Sequence, residues 1–212
     1  MVHLTSLLLL TTTLTTAASL PPLSLNHLNR RAPPNIPSPE EATDLLSSLT
    51  VAPQGPQDGY DRDKFPHWKS DGNCTTRETV LARDGTDLTI GDDCYPESGS
   101  WYSVYDGATW SKASDVDIDH VVPLSNAWKS GAADWTNDER EGFANDLENP
   151  QLIAVTDEVN QEKSDAGPEE WKPPLEAYHC EYACMWVKVK SVYSLTITDA
   201  EKSALTEMLE TC

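Results

Sequence analysis

The chain has 212 residues, with 35 acidic and 15 basic side chains and a formal net charge of −20 at pH 7. Such a balance argues against passive, patch-driven binding of nucleic acid, which needs Lys and Arg to neutralise phosphates. A polyanion-binding role must therefore rest on local chemistry with a metal ion, and the length allows one domain behind a disordered head.

The first residues read "MVHLTSLLLLTTTLTTAASL". A short apolar core at Leu7 to Leu10, a Thr-rich continuation and small residues near Ala17-Ala18-Ser19 predict a signal peptide over 1–19, although Lys and Arg are missing from its start. Secretion follows from it. No other segment approaches 18 continuous apolar residues, so no membrane association is expected once the signal is removed. Residues 20–37 are Pro-rich and are expected to form a disordered propeptide or linker, with dibasic processing after Arg31 at Arg30-Arg31. Loss of residues 1–31 removes two arginines and no acids, which leaves about −22 on the mature chain. That charge suits acidic surroundings, where many carboxylates are partly protonated.

Beyond the linker, "SPEEATDLLSSL" predicts a helix with Ser38 as N-cap, Pro39 at the first position and Glu41 at the third. A single domain is expected over 38–212, with its core at 60–212. Three Thr-x-x-Glu boxes open further helices: Thr75 with Glu78, Thr136 with Glu139, and Thr198 with Glu201. The run "LEAYHCEYACMWVKVKSVYSL" predicts another, since Tyr178, Tyr182, Met185, Val189 and Tyr193 recur at steps of three and four. Short strands are expected at "DLTI", "SWYSVYDG" and "GATW". The alternating "DVDIDHVV" and the later "QLIAVT" are the firmest strands, and a short helix starts near Asp157. The fold class is α+β.

The five cysteines are Cys74, Cys94, Cys180, Cys184 and Cys212. In a secreted chain disulfides are the default. Cys180 and Cys184 share a helix face, so the expected bridges are Cys74–Cys94 and Cys180–Cys212 with Cys184 as a buried thiol, although four cysteines already allow three pairings. Asn73-Cys74-Thr75 fits the glycosylation sequon at Asn73.

The chemistry gathers around "DVDIDHVVPLSNAW", residues 115–128. Histidine titrates near neutrality, as a general base should. Asp119 offers a carboxylate oxygen of the kind hard divalent cations prefer. It points to the opposite strand face from His120. Asp115 and Asp117 extend the acidic run, but an EF-hand is excluded: His120 stands where its glycine belongs and Asn126 where its final Glu belongs. Further along, Asn149 precedes a strand. Asn160 and Lys163 then share a helix face, with an amide oxygen to ligate an ion and an ammonium to contact a phosphate. The elbow, zinc-peptidase and phosphate-loop motifs G-x-S-x-G, H-E-x-x-H and G-x-x-x-x-G-K are missing.

The blocks "YDRDKFPHW", "CTTRETVLARDG", "DIDHVVPLSNAWKSGAADW", "FANDLENPQLIAV", "VNQEKSDAGPEEWKPP" and "YSLTITDAEKSALTEMLETC" resemble secreted HNH-like proteins related to the C-terminal domain of GmrSD restriction endonucleases. The resemblance implies a disulfide-stapled ββα-metal (HNH, His-Me finger) core with additional helices and short strands. It implies a metal-dependent endonuclease acting on DNA or RNA as a monomer. It makes His120 the general base, Asn149 the central asparagine that orients the loop and the base, and Asp119 and Asn160 the metal ligands. Lys163, and on weaker grounds Arg77, would contact phosphate. An Asn in place of His at 160 favours an oxygen-seeking ion, Mg²⁺ with Mn²⁺ as the alternative, over Zn²⁺. The rival reading is a secreted binding or effector protein that keeps an inactive HNH-like fold.

Overall fold

Among the described residues, the starts of four helices follow capping side chains. The structure, a computed structural model, describes residues 33–212. The expected signal peptide, the first part of the Pro-rich stretch and the Arg30-Arg31 pair lie outside the described residues. Pro33 and Pro37 are buried, and the Asn35 side chain donates to the Glu148 carbonyl at 2.7 Å. Ordered packing thus begins ahead of Ser38, within the stretch expected to be linker.

Helix α1 runs Pro39–Ser48, with the Ser38 hydroxyl accepting from the Glu41 amide. Full capping boxes at Thr75, Thr136 and Thr198 open α2 (Thr76–Asp84), α4 (Asn137–Ala144) and α7 (Asp199–Leu209). The aromatic run forms α6 (His179–Val192). A six-residue helix, α3 (Leu124–Lys129), follows Pro123 and was not predicted. Its start lacks a side-chain cap, so the sequence carries no start signal there.

Among the described residues, three small sheets accompany these helices. Strands β1 (Ser70–Asp71) and β2 (Cys74–Thr75) form a minimal hairpin with Asn73 exposed in its turn. Strands β3 (Gly85–Ile90), β4 (Pro96–Tyr102) and β5 (Thr109–Trp110) form an antiparallel sheet. Gly85 joins α2 directly to β3, and a Cβ there would lie 2.7 Å from the Trp101 indole nitrogen, closer than side chains approach. The strand expected over "SWYSVYDG" stops at Tyr102, because Ser103 to Gly107 close a turn with Gly107 at φ +78°.

The third sheet positions the site. Strand β6 (Val116–His120) pairs antiparallel with β7 (Leu152–Thr156), with Asp119 opposite Ile153 and His120 opposite Leu152. Helix α5 (Asp157–Lys163) follows β7 without a break. This ladder divides two apolar clusters. Ile153 and Val155 face the larger one, with α6 residues such as Tyr182 and Trp186. Leu152 and Ala154 face a smaller one with Val80, Leu81, Trp101, Val116 and Ile118. A strand covered on both faces reads as a continuous apolar run, which is how "LIAV" reads. Helix α2 closes the ladder's edges with side chains. Asp84 accepts from the Ala154 amide at 2.8 Å, Arg83 donates to the Leu152 carbonyl at 2.6 Å, and Arg77 donates to the Ala113 and Val116 carbonyls. Otherwise unpaired strand edges are thereby satisfied.

The architecture is thus mixed helix and sheet with two disulfides, Cys74–Cys94 and Cys180–Cys212. Cys184 is a buried thiol, and burial pushes it up to about 11. Mass spectrometry of an unreduced digest should return those two bridges with Cys184 unmodified. A Cys184–Cys212 linkage would contradict the pairing.

Candidate active site

Alternation along β6 sends adjacent residues to opposite faces. Val116 and Ile118 pack with the α2 residues Val80 and Leu81, His120 on the same face meets Trp68 and the Ala144 carbonyl, and Asp117 and Asp119 face Asn160 and Lys163 of α5. At the strand's end both Asp119 and His120 reach one cavity of about 220 Å³, lined also by Asn160, Arg62 and Asp165.

His120 is only 6% exposed. Its Nε2 lies 2.9 Å from the Ala144 carbonyl at the end of α4. A carbonyl only accepts, so Nε2 carries the hydrogen and Nδ1 keeps the lone pair. Trp68 stacks on the ring with centroids 5.6 Å apart, and His67 meets it edge-on at 6.1 Å. Burial, with further contributions from Arg62, His67 and Lys163, pulls the imidazole down to about 3. It is therefore neutral across ordinary pH.

The loop that brings Trp68 to His120 is held by Asn145. Its side chain accepts from the Lys69 amide at 2.8 Å and donates to the Pro66 carbonyl at 2.7 Å. Between them Trp68 sits at φ +60°, a conformation that persists only where its surroundings impose it. Neither Asn145 nor Trp68 was singled out from sequence. Asn145 directly follows the last residue of α4 at φ −121°, and its role depends on a loop distant in sequence, for which there is no local signal.

Asp119 is 4% exposed and has partners at both oxygens. Oδ1 meets the Lys163 ammonium at 2.8 Å, and Oδ2 accepts from the Tyr105 hydroxyl at 2.7 Å. Lys163 also donates to the His120 carbonyl at 3.0 Å. Burial pushes the Asp119 carboxyl up from its usual range, opposed by Lys163 and Tyr105. Tyr105 itself is held well above its ordinary value by burial and by Asp119, so it remains a donor.

These contacts correct three sequence expectations. Lys163 is fully buried and serves as the counter-ion of Asp119, so in this arrangement it does not reach a phosphate. Its four-carbon stem carries the charge inward from α5, a direction that helix spacing left open. Arg77 is turned to the carbonyls at the start of β6 and does not line the cavity. Asn149 binds Asp146 through its side chain at 2.9 Å and its amide at 2.9 Å, which shapes the loop before β7. The carbonyl that orients His120 belongs to Ala144 instead. Asn160 lines the cavity, and its amide nitrogen lies 3.4 Å from Asp117.

Asp119 and Asn160 bring a carboxylate and an amide to the cavity, both oxygen ligands of the type that suits Mg²⁺ or Mn²⁺, and Asp165 lines it with a second carboxylate. A carboxylate oxygen has two lone-pair sites, so Asp119 retains capacity beyond Lys163 and Tyr105. Among the described residues, the three-ligand grouping of His, Cys, Asp or Glu is Cys180, Cys184 and Cys212, two of which form a disulfide. No such three-ligand grouping lies at the cavity among the described residues, so an ion held there by Asp119 and Asn160 would complete its shell with water and substrate.

Removing Lys163 leaves a buried carboxylate without its counter-charge. Lys163→Met is expected to lose about 3–5 kcal/mol of unfolding free energy in urea titrations, and Asp119→Asn/Lys163→Met to recover part of it. A loss below about 0.5 kcal/mol would contradict the buried pair. For His120 the folded value lies below the unfolded one, so acid favours the unfolded chain. Its contribution is complete above about pH 6.5 and erodes as pH falls toward about 3, by up to about 1.4 kcal/mol per pH unit. With chelator present, wild type should lose stability more steeply than His120→Asn between pH 6 and pH 4; parallel slopes would contradict the buried neutral ring.

The family model described as "GmrSD restriction endonucleases, C-terminal domain" matches residues 86–208, a span that includes Asp119, His120, Asn149 and Asn160. An uncharacterized secreted protein from Arthroderma benhamiae is 70% identical over 181 residues, covering 85% of this chain and 89% of the relative. No solved structure matches the chain. Among the described residues no helix is long and apolar enough to cross a membrane. The chain is a secreted protein that belongs to the family of the C-terminal domain of GmrSD restriction endonucleases.

Proposed function

We propose that the chain is a metal-dependent endonuclease of the HNH type, hydrolysing phosphodiester bonds in DNA or RNA as a monomer, with His120 as general base. One observation carries the reading. A neutral imidazole, anchored through Nε2 on a backbone carbonyl, shares a polar cavity with two hard oxygen donors. Support for a ββα-metal core comes from the antiparallel β6–β7 ladder and the helix α5 that directly follows it.

In this mechanism Nδ1 of His120 takes a proton from water as the water oxygen closes on phosphorus. The negative phosphate favours the imidazolium that forms, which offsets the depressed basicity of the free site. The Ala144 carbonyl holds the ring in one tautomer throughout. Lys163 and Tyr105 fix the Asp119 carboxylate, and the Asn149–Asp146 contacts hold the loop entering β7. Asp119 and Asn160 would hold the divalent cation, which when bound supplies charge neutralisation at the phosphate and the leaving oxygen. Mg²⁺ uses few protein oxygens and several waters or phosphate oxygens, in keeping with this two-residue donor set.

An inactive binding protein on the same fold is the second reading. The net charge of −20 and the pairing of Asp119 with Lys163 favour it. The two separate on incubation of the secreted chain with plasmid DNA and with RNA, from pH 4 to pH 8, with Mg²⁺ or Mn²⁺ and with chelator. Cleavage should require the ion and fall about 10²–10⁴-fold in His120→Ala, as for loss of a general base. No cleavage in any condition, or equal cleavage by the variant, would overturn the nuclease reading.

A further inference from the structure

A phosphodiester site needs a cation that meets the phosphate, and the two expected from sequence are engaged elsewhere. Lys163 is buried on Asp119, and Arg77 is bonded to strand carbonyls. Among the residues that line the cavity, Arg62 alone is cationic. We propose that Arg62 is the side chain that binds the scissile phosphate, over the same cavity that holds His120. The proposal rests on the phosphodiesterase reading for the identity of the phosphate, and Arg62 lies ahead of the span that the family model matches.

Two observations carry it. First, Arg62 is exposed, and among the described residues its guanidinium makes neither a hydrogen bond nor a salt bridge, although Asp61 and Asp63 flank it in sequence. Asp61 is turned away to accept from the Asp63 amide at 3.0 Å. Second, its platform is fixed. Arg62 opens a one-turn 3₁₀ helix, Arg62–Lys64. Phe65 directly behind is fully buried against Tyr60, Trp128 and Phe143. Lys64 lies over the Trp128 ring at 4.9 Å, and its carbonyl accepts from Arg140 at 3.0 Å.

The chemistry suits the role. A planar guanidinium presents paired donors that match two phosphate oxygens, and it stays charged at every relevant pH. Asp165 also lines the cavity, so an entering phosphate meets a carboxylate as well. Without Arg62 the approach of an anion would be opposed. A rigid turn that carries one unpaired cation to a cavity wall thus resolves how a strongly acidic protein accepts a polyanion.

The test uses the full secreted chain, wild type, Arg62→Gln and Arg62→Lys. Inorganic phosphate is titrated in chelator while the His120 ring resonances are followed, so no turnover is needed. Wild type should bind with a clear shift. Arg62→Gln should weaken binding about 10- to 100-fold, as expected for loss of a charge-assisted hydrogen-bonded contact, and Arg62→Lys less. In plasmid cleavage Arg62→Gln should raise KM by a similar factor while Tm stays unchanged, since the side chain makes no bonds within the described fold. Equal phosphate binding by wild type and Arg62→Gln, or no binding by wild type, would overturn the proposal. Phosphate binding through Arg62 without any nucleic-acid cleavage would sink the nuclease reading and leave Arg62 as a phosphate site.

Discussion

The buried ion pair between Asp119 and Lys163 is the contact on which the site is built. It joins the end of β6 to the last residue of α5, and Lys163 reaches on to the His120 carbonyl. One ammonium therefore sets the position of two adjacent residues that face opposite ways. A pair of this kind costs much desolvation and is weak support for stability, yet losing either partner is costly. What it supplies here is placement. The carboxylate is fixed between a cation and a tyrosine hydroxyl, at the rim of a cavity, with lone pairs to spare.

The opposite face of the strand does the complementary task for His120. Its surroundings are a tryptophan face, a second histidine and a single backbone carbonyl. None of these stabilises an imidazolium strongly enough to offset burial, so the ring stays neutral. For a secreted protein this has a use. An unperturbed histidine is largely protonated below about pH 6 and cannot act as a base there. On the proposed mechanism a desolvated one would keep its lone pair in acid, and a bound phosphate would raise its basicity. Trp68 is held at positive φ by Asn145 on either side of it, so the ring that desolvates His120 is itself fixed by the end of α4.

Much of the fold was legible because it is written in local signals. Thr-x-x-Glu boxes marked three helix starts to the residue, and the apolar alternation of "DVDIDHVV" and the run "LIAV" marked the paired strands. Shared helix spacing separated Cys180 from Cys184, and the bridges formed as expected. The side-chain destinations were less legible. Spacing placed Asn160 and Lys163 on one helix face but left open whether that face met solvent or a carboxylate. Lys163 turned inward because Asp119 stood beneath it. Arg77 turned to strand carbonyls because α2 packs along the ladder's edge, a tertiary fact without a local signature. Arg62, Trp68 and Tyr105 come from segments far from "DIDH" in sequence, and only folding brings them beside it. The prolines at 33 and 37 looked like linker because composition says nothing of the contacts that bury them.

The account turns on the state of one ring: His120 neutral, with its hydrogen on Nε2 toward Ala144 and its lone pair on Nδ1. Long-range ¹H–¹⁵N correlation of the histidine side chains, in chelator and from pH 7 down to pH 4, reads this directly. The predicted result is the Nε2–H tautomer for His120, unchanged through the range in which free histidine protonates at about pH 6.5. An Nδ1–H tautomer, or a His120 that titrates near that value, would contradict it.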